Sequence, residues 1–299
     1  MAELGFDGKV AIVTGAGGGL GRQHALLLAS RGARVVVNDL GGSVSGVGSD
    51  AGPAEAVASE IRSAGGEAVA DGHSVSSPEG GEAVVQTALD TFGRVDIVVN
   101  NAGILRDKTF HNLTPDLLEP VLDVHLKGAF YVTRPAWIRM REQGYGRVVN
   151  TSSNSGILGN FGQSNYGAAK MGLVGFTRVL AAEGAKYNIK VNAIAPLART
   201  RMTEEVLGEL VAKLDPEFVS PVVGWLAHED VPVTGEVFSV GGGRVARFFI
   251  GMTHGYYNPQ LTVEDVRDHF AEIRDESGYT VPAGPSDEFA EVFKMMSGR

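Results

Sequence analysis

The sequence predicts a doubly wound α/β fold, a parallel sheet with helices on both faces, and three observations carry that expectation. Short runs rich in β-branched residues alternate with longer segments of helical period. Those runs are apolar on both faces, as strands covered by helices must be. A glycine-rich turn joins the first run to the first helical segment, and alternation of this kind builds right-handed βαβ units.

In chain order, Val10 to Thr14 reads as the first strand and Leu20 to Ser30 as the helix that follows it. Arg34 to Asp39, with three consecutive valines, is the second strand. Leu40 to Gly52 is rich in Gly and Ser without any period, a loop of the kind that carries function or mobility. Pro53 to Ala64 is helical, Glu67 to Ala70 the third strand, Pro78 to Phe92 helical and Val95 to Asn100 the fourth strand. Pro115 to Met140 reads as one long helix before the fifth strand, Arg147 to Thr151. Tyr166 to Lys186 is helical, Lys190 to Ile194 the sixth strand, Thr203 to Leu214 helical and Glu236 to Val240 the seventh strand. Beyond Val245 the character changes: Pro259, Pro282 and Pro285 separate short helical stretches at Val263 to Ile273 and Glu288 to Met296. So short a tail is marginal as a core of its own. The expected organisation is a domain over 1–244 with an extension, 245–299, packed on it.

Composition narrows the function. Lys plus Arg number 26 against 35 Asp plus Glu, a formal charge of −9, which is the wrong sign for a nucleic-acid binder. An anionic ligand must therefore be held by local cations or helix N-termini. The absence of Cys excludes disulfides, thiolate metal sites and Cys nucleophiles, and the His residues, including His24, His73 and His111, have no metal-ligand spacing. With no signal-like N-terminus and no apolar stretch near ~20 residues, membrane insertion is not expected and a soluble, cytoplasmic protein is.

The turn Thr14-Gly15-Ala16-Gly17-Gly18-Gly19-Leu20-Gly21 follows a strand and opens a helix. Glycines there let the backbone approach a pyrophosphate, whose charge then sits at a positive helix N-terminus. Asp39 ends the next strand, where a carboxylate accepts hydrogen bonds from adenosine ribose hydroxyls and repels a 2′-phosphate. With no Arg or Lys at 17, 18 or 40 to offset it, NAD is expected rather than NADP. Asn100-Asn101-Ala102-Gly103 closes the fourth strand at the ligand-binding edge of such sheets. Tyr166 and Lys170 share one helix face at i, i+4. A nearby ammonium favours a phenolate, so Lys170 is expected to lower the Tyr166 pKa. Ser153 follows the fifth strand, its hydroxyl suited to an oxygen on which charge develops.

In this order and spacing, the Gly loop, Asn-Asn-Ala-Gly, Ser153 and Tyr-x-x-x-Lys resemble the short-chain dehydrogenase/reductase family over residues 7 to about 244. The resemblance implies a Rossmann-type sheet of order 3-2-1-4-5-6-7 and hydride transfer between nicotinamide and a carbonyl or alcohol carbon. By position, Tyr166 becomes the general acid/base, Lys170 the group that holds the nicotinamide ribose and tunes Tyr166, and Ser153 the residue that orients substrate. Gly15, Gly19, Leu20, Gly21, Asp39, Asn101, Tyr166 and Lys170 would bind cofactor. Ser74 and Val75 would lie beside the adenine, and Ala198, Arg199, Thr200 and Arg201 would flank the nicotinamide. No metal is implied. One departure is His125, where family members often carry Asn; a site acting through its backbone carbonyl accepts either, and a proton-transfer role for the imidazole stands beside that of a packed helix residue.

Within the family, Asn38-Asp39-Leu40-Gly41-Gly42, Gly103-Ile104-Leu105-Arg106-Asp107 and Gly159-Asn160-Phe161-Gly162-Gln163 look like the (3R)-hydroxyacyl-CoA dehydrogenase domains of multifunctional β-oxidation enzymes, and the tail from Met252 resembles their C-terminal extension. This implies NAD-dependent interconversion of (3R)-3-hydroxyacyl-CoA and 3-oxoacyl-CoA, with Arg106, Lys108, Arg199, Arg201, Arg244 and Arg247 as candidate cations for the CoA phosphates. It also implies a homodimer, with a tetramer possible, through the helical segments Val121 to Met140 and Tyr166 to Lys186. The chain ends in Ser297-Gly298-Arg299, which is not a peroxisomal terminus. Alternatives are a 3-oxoacyl-carrier-protein reductase, against which Asp39 argues, and a dehydrogenase of free hydroxysteroids. A sensor without turnover is opposed by Ser153, Tyr166 and Lys170 together.

Overall fold

The structure, a computed structural model, describes residues 3–198 and 214–298. The strands are β1 (Val10–Thr14), β2 (Arg34–Asn38), β3 (Glu67–Asp71), β4 (Ile97–Asn100), β5 (Gly146–Thr151), β6 (Ile189–Pro196), β7 (Val237–Gly241) and β8 (Arg244–Phe248). They form one sheet in the order β3-β2-β1-β4-β5-β6-β7-β8. Neighbours from β3 to β7 pair in parallel, as the apolar runs require. The helices are α1 (Gly19–Ser30), α2 (Gly52–Ser63), α3 (Pro78–Phe92), α4 (Pro115–Leu122), α5 (Gly128–Gln143), α6 (Asn154–Leu158), α7 (Ser164–Gly184), α8 (Ser220–Ala227), α9 (Val263–Asp268), α10 (Phe270–Ile273) and α11 (Pro285–Met296).

Side chains alternate across the sheet, so each strand supplies two cores. Ala11, Val13, Val35 and Val37 pack on one face with Leu28 of α1, Ile61 of α2 and Leu226 of α8. Val10, Ile12, Val36 and Val148 pack on the other with Val84 of α3 and Val132 and Met140 of α5. Burying one such side chain contributes about 1.5–3 kcal/mol. The sheet is thereby held rigid beneath the carboxyl ends of its strands, where the site lies.

The expected helix Pro115 to Met140 is two helices joined by a π turn over Asp123–Lys127. Apolar spacing does not reveal it, because one widened turn leaves the chain running in the same direction. α8 escaped notice because Ser220–Ala227 is short and almost wholly apolar, without a polar face to set a period. β8 follows the two-residue turn Gly242-Gly243, where φ is 56° and 80°, a hairpin geometry that glycine supplies. The chain divides into two compact units, Met1–Arg247 and Phe248–Arg299, a division at 247/248 rather than 244/245 because β8 extends the sheet. The expected helix Thr203 to Leu214 lies, but for its last residue, outside the described residues.

Candidate active site

A cleft of ≈ 360 Å³ opens at the carboxyl edge of the sheet. Gly15 turns at φ 65° between β1 and α1, and a Cβ there would stand 2.8 Å from the Ala102 Cα. Among the described residues no atom stands within 4 Å of where a Gly18 Cβ would lie. No side chain among the described residues caps α1, and its first-turn N–H groups are a place for anionic oxygen. Gly21 serves packing: a Cβ would meet the Gly15 carbonyl oxygen at 2.2 Å. Asp39 accepts from the Gly17 N–H at 2.8 Å and from the Gly41 N–H at 2.7 Å. The carboxylate is thus fixed in orientation at the cleft wall, with lone pairs left for a ligand. These residues fit an adenine dinucleotide.

The loop 40–51 crosses this end of the cleft as a strap. Its neck closes through Asp50 N–H to the Leu40 carbonyl, 2.9 Å, where Gly41 at φ 73° brings its chain against Asp50 too closely for any Cβ. Its crown is tied across the cleft, Leu105 N–H donating to the Val44 carbonyl at 2.9 Å and Arg106 Nε to the Ser45 carbonyl at 2.9 Å.

Ser153, Tyr166 and Lys170 line the same cleft. Ser153 caps α6 by accepting from the Ser155 N–H at 3.1 Å. Lys170 is 3% exposed; its Nζ donates to the Thr151 carbonyl at 2.5 Å. Burial lowers its pKa to about 7, since a cation out of water is disfavoured. Tyr166 is pushed above the ordinary phenol value, first by burial and also by the Asp107 carboxylate, with a hydrogen bond from Ser153 opposing. This corrects the expected lowering: Lys170 lies 5.5 Å from the ring centroid, and desolvation outweighs it. Such a pair holds a proton firmly yet places an ionisable amine beside it.

Of the expected residues, Gly15, Gly19, Leu20, Asp39, Ser74, Val75, Asn101, Ser153, Tyr166, Lys170 and Ala198 all line the cleft. Gly21 stands behind it, and Arg199, Thr200 and Arg201 lie outside the described residues. Asn101 Nδ2 donates to the Thr14 and Gly15 carbonyls, 3.0 and 3.1 Å, tying β4 to the Gly loop. Among the CoA-phosphate candidates, Arg106 is committed to the Ser45 and Asp116 carbonyls and Arg247 pairs with Glu236 at 3.2 Å, whereas Lys108 and Arg244 are exposed. Two contributors went unread. The strap's lining residues carry no chemistry of their own, and Asn165 is a buried amide whose Nδ2 donates to the Arg106 and Leu117 carbonyls, both at 2.9 Å, while its Oδ1 accepts from the Tyr166 N–H. A polar side chain at the buried start of a helix was the available signal.

Fold, cleft and side-chain order together define a nucleotide-linked oxidoreductase, and a family model described as short chain dehydrogenase matches residues 9–209. The chain belongs to the short-chain dehydrogenase family and is an oxidoreductase acting on CH–OH groups. It is 52% identical over 276 residues to a short-chain type dehydrogenase/reductase of Mycobacterium tuberculosis, covering 92% of this chain and 96% of that one. It is 52% identical over 286 residues to peroxisomal multifunctional enzyme type 2 of Mus musculus, covering 94% of this chain but only 38% of the mouse enzyme. The full-length peroxisomal multifunctional enzyme type 2 of Drosophila melanogaster superposes with a TM-score of 0.84 at 39% identity, over 99% of this chain and 50% of that one.

Proposed function

We propose that the protein interconverts (3R)-3-hydroxyacyl-CoA and 3-oxoacyl-CoA with NAD, in fatty-acid or sterol side-chain β-oxidation. The observation that carries this is one cleft lined both by the Gly loop with Asp39 and by Ser153, Tyr166 and Lys170. The likeness to the multifunctional enzymes along nearly the whole chain supports the acyl-CoA substrate. Asp39, held by two backbone N–H groups, supports NAD, because a fixed carboxylate there repels a 2′-phosphate.

A nicotinamide dinucleotide, when bound, supplies the acceptor for the hydride leaving C3. Gly15, Gly19 and the α1 N-terminus would hold its pyrophosphate, Asp39 its adenosine ribose, and Ser74 and Val75 its adenine. Ser153 Oγ donates to the substrate oxygen and holds C3 in place. The Tyr166 phenolate takes the hydroxyl proton as the carbonyl forms, and returns it in reduction. Lys170, anchored on Thr151, would hold the nicotinamide ribose and, when charged, favours that phenolate. α5 and α7 expose Phe130, Ile138 and Val179, which supports a homodimer through these helices; sedimentation as a monomer would count against it.

Initial rates with NAD and NADP, on (3R)- and (3S)-hydroxyacyl-CoA of short, medium and sterol-like acyl groups and on a free hydroxysteroid, test the reading. NAD-dependent turnover confined to the (3R) thioesters is expected. Turnover only with NADP removes the Asp39 argument, and turnover only of the free steroid removes the CoA argument.

A further inference from the structure

The loop after β4 is seated on the start of α7 by contacts from three consecutive residues. The Arg106 carbonyl accepts from Asn165 Nδ2 at 2.9 Å, and the same amide's Oδ1 accepts from the Tyr166 N–H at 2.8 Å. The Asp107 carboxylate accepts from Gln163 Nε2 at 2.6 Å. The Lys108 N–H donates to the Gly162 carbonyl at 2.9 Å. Gln163 is itself steadied from the other side, its Oε1 accepting from Asn160 Nδ2 at 3.0 Å.

Gln163 precedes Tyr166 by three positions, so the two side chains leave the first turn of α7 on the same side. A carboxylate is thereby fixed beside the phenol. Its partner is an amide, which holds the carboxylate in place without cancelling its charge, and Asp107 is otherwise exposed. A nearby anion leaves a neutral phenol undisturbed and opposes only the phenolate. The direction of the Tyr166 titration agrees: burial raises it first, Asp107 adds to the rise, and the Ser153 hydrogen bond opposes.

We propose that Asp107 is a positioning residue for the transferred proton: its carboxylate, seated at the start of α7 by Gln163, keeps Tyr166 a phenol. At neutral pH the site therefore gives a proton to a carbonyl readily, and takes one from an alcohol fully only as pH rises. The inference rests on the reading that Tyr166 exchanges the hydroxyl proton.

The groups facing Tyr166 are Lys170 on its own helix, Asp107 and Ser153 from the loops after β4 and β5, and His125 from the π turn, whose ring meets the phenol edge to face at 5.2 Å. Burial, with the Lys170 cation, holds the imidazole neutral. Among these groups the charges are thus Lys170 and Asp107, of opposite sign. Lys170 is buried and Asp107 exposed, so dissolved salt screens the carboxylate far more than the ammonium. Raising salt and removing the Asp107 charge should act in the same direction, each releasing the phenolate.

Asp107→Asn keeps an oxygen for Gln163 and loses the charge. Tyr166 ionisation is read from the ¹³Cζ resonance of tyrosine-labelled protein, assigned by its absence in Tyr166→Phe, with no substrate or cofactor present. Asp107→Asn is expected to titrate about half a pH unit lower at low salt, roughly a threefold gain of phenolate at a given pH. The gap should close at about 1 M salt, where screening acts within ~3 Å. The acid limb of kcat for alcohol oxidation moves down with the titration, the NADH Kd does not change, and Asp107→Glu restores the original values. Gln163→Leu keeps the charge but frees it, and is expected to give a smaller shift in the same direction. Equal titrations at low salt overturn the proposal, as does a gap that salt leaves unaltered, which would mark a change of structure rather than of charge. Should the variants fail to fold, the unaltered protein decides: its Tyr166 midpoint is expected to fall as salt rises, and a fixed midpoint overturns the proposal. A shifted titration with an unmoved acid limb overturns the reading of Tyr166 and the proposal with it. Because the resonance is read without acyl-CoA, a mistaken substrate fails in the rate assay alone.

Discussion

Tyr166→Phe removes one oxygen and leaves the walls of the cleft in place. A general acid/base contributes roughly 10²–10⁴-fold, so kcat is expected to fall by about that factor while the Kd for NADH, from fluorescence titration, stays within about threefold. Lys170→Met is expected to do something less obvious, which is to stabilise the protein. The folded-state pKa of Lys170 is lowered from 10.5 to about 7 by burial. A group depressed in this way costs its full penalty at and below pH 7, and the penalty fades as pH rises toward the unfolded value. Urea denaturation should therefore show Lys170→Met to be the more stable by a few kcal/mol at pH 6, with the advantage gone near pH 10 and activity lost throughout. An advantage independent of pH would exclude burial of charge as its cause. The residues making this site differ in how openly the sequence shows them. Tyr166 and Lys170 lie on one helix face, so their neighbourhood follows from helical spacing alone. The partners of Asn165 come from 59 and 48 residues away, and nothing local announces them. The direction of the Tyr166 shift was missed for the same reason, since burial is a property of the packed chain.

Elements are joined beneath the site by side chains rather than by packing alone. Asn100 Nδ2 donates to Asn150 Oδ1 at 2.8 Å and to Thr133 Oγ1 at 2.9 Å, and Asn150 Nδ2 donates to Thr177 Oγ1 at 2.9 Å. β4, β5, α5 and α7 are thus linked through buried polar groups. Asn150→Leu removes one bond from Asn100, which keeps Thr133, and one from Thr177, which keeps the Leu173 carbonyl, at roughly 0.5–1.5 kcal/mol each. A lower urea midpoint and a reduced kcat are expected, since α7 carries Tyr166 and Lys170; an unchanged midpoint would show that the linkage does not hold the helix. The strands and most helices could be read from period and composition because the sheet is buried on both faces. The π turn could not be, since apolar spacing runs through one wider turn unchanged and the Ile104 partner of its His125 lies 21 residues away.

Charge is a property of the whole molecule. If the substrate is the proposed CoA thioester, a chain of net charge −9 repels it at long range, and its capture is expected to depend on local cations and to weaken as salt screens them. Lys108, exposed on the loop after β4, is the described cation of that loop not committed to backbone carbonyls. Lys108→Ala is expected to raise KM several-fold for the acyl-CoA and to leave KM unchanged for the corresponding pantetheine thioester, which lacks the nucleotide phosphates. Equal effects on both would place Lys108 against the acyl or pantetheine portion instead.

The strap over 40–51 gives the catalytic cycle a sequence in time. Its neck is pinned through Gly41 to Asp39, and its crown is clipped to Leu105 and Arg106 on the opposite wall. On the proposed function, a dinucleotide bound along Asp39 and the Gly loop lies at the end of the cleft that this strap lines, so its entry and departure are expected to be coupled to the strap's clips. The two substrates are therefore expected to add in compulsory order, cofactor first and cofactor last to leave. Product-inhibition patterns reveal this directly: NADH competes with NAD, and the 3-oxoacyl product does not.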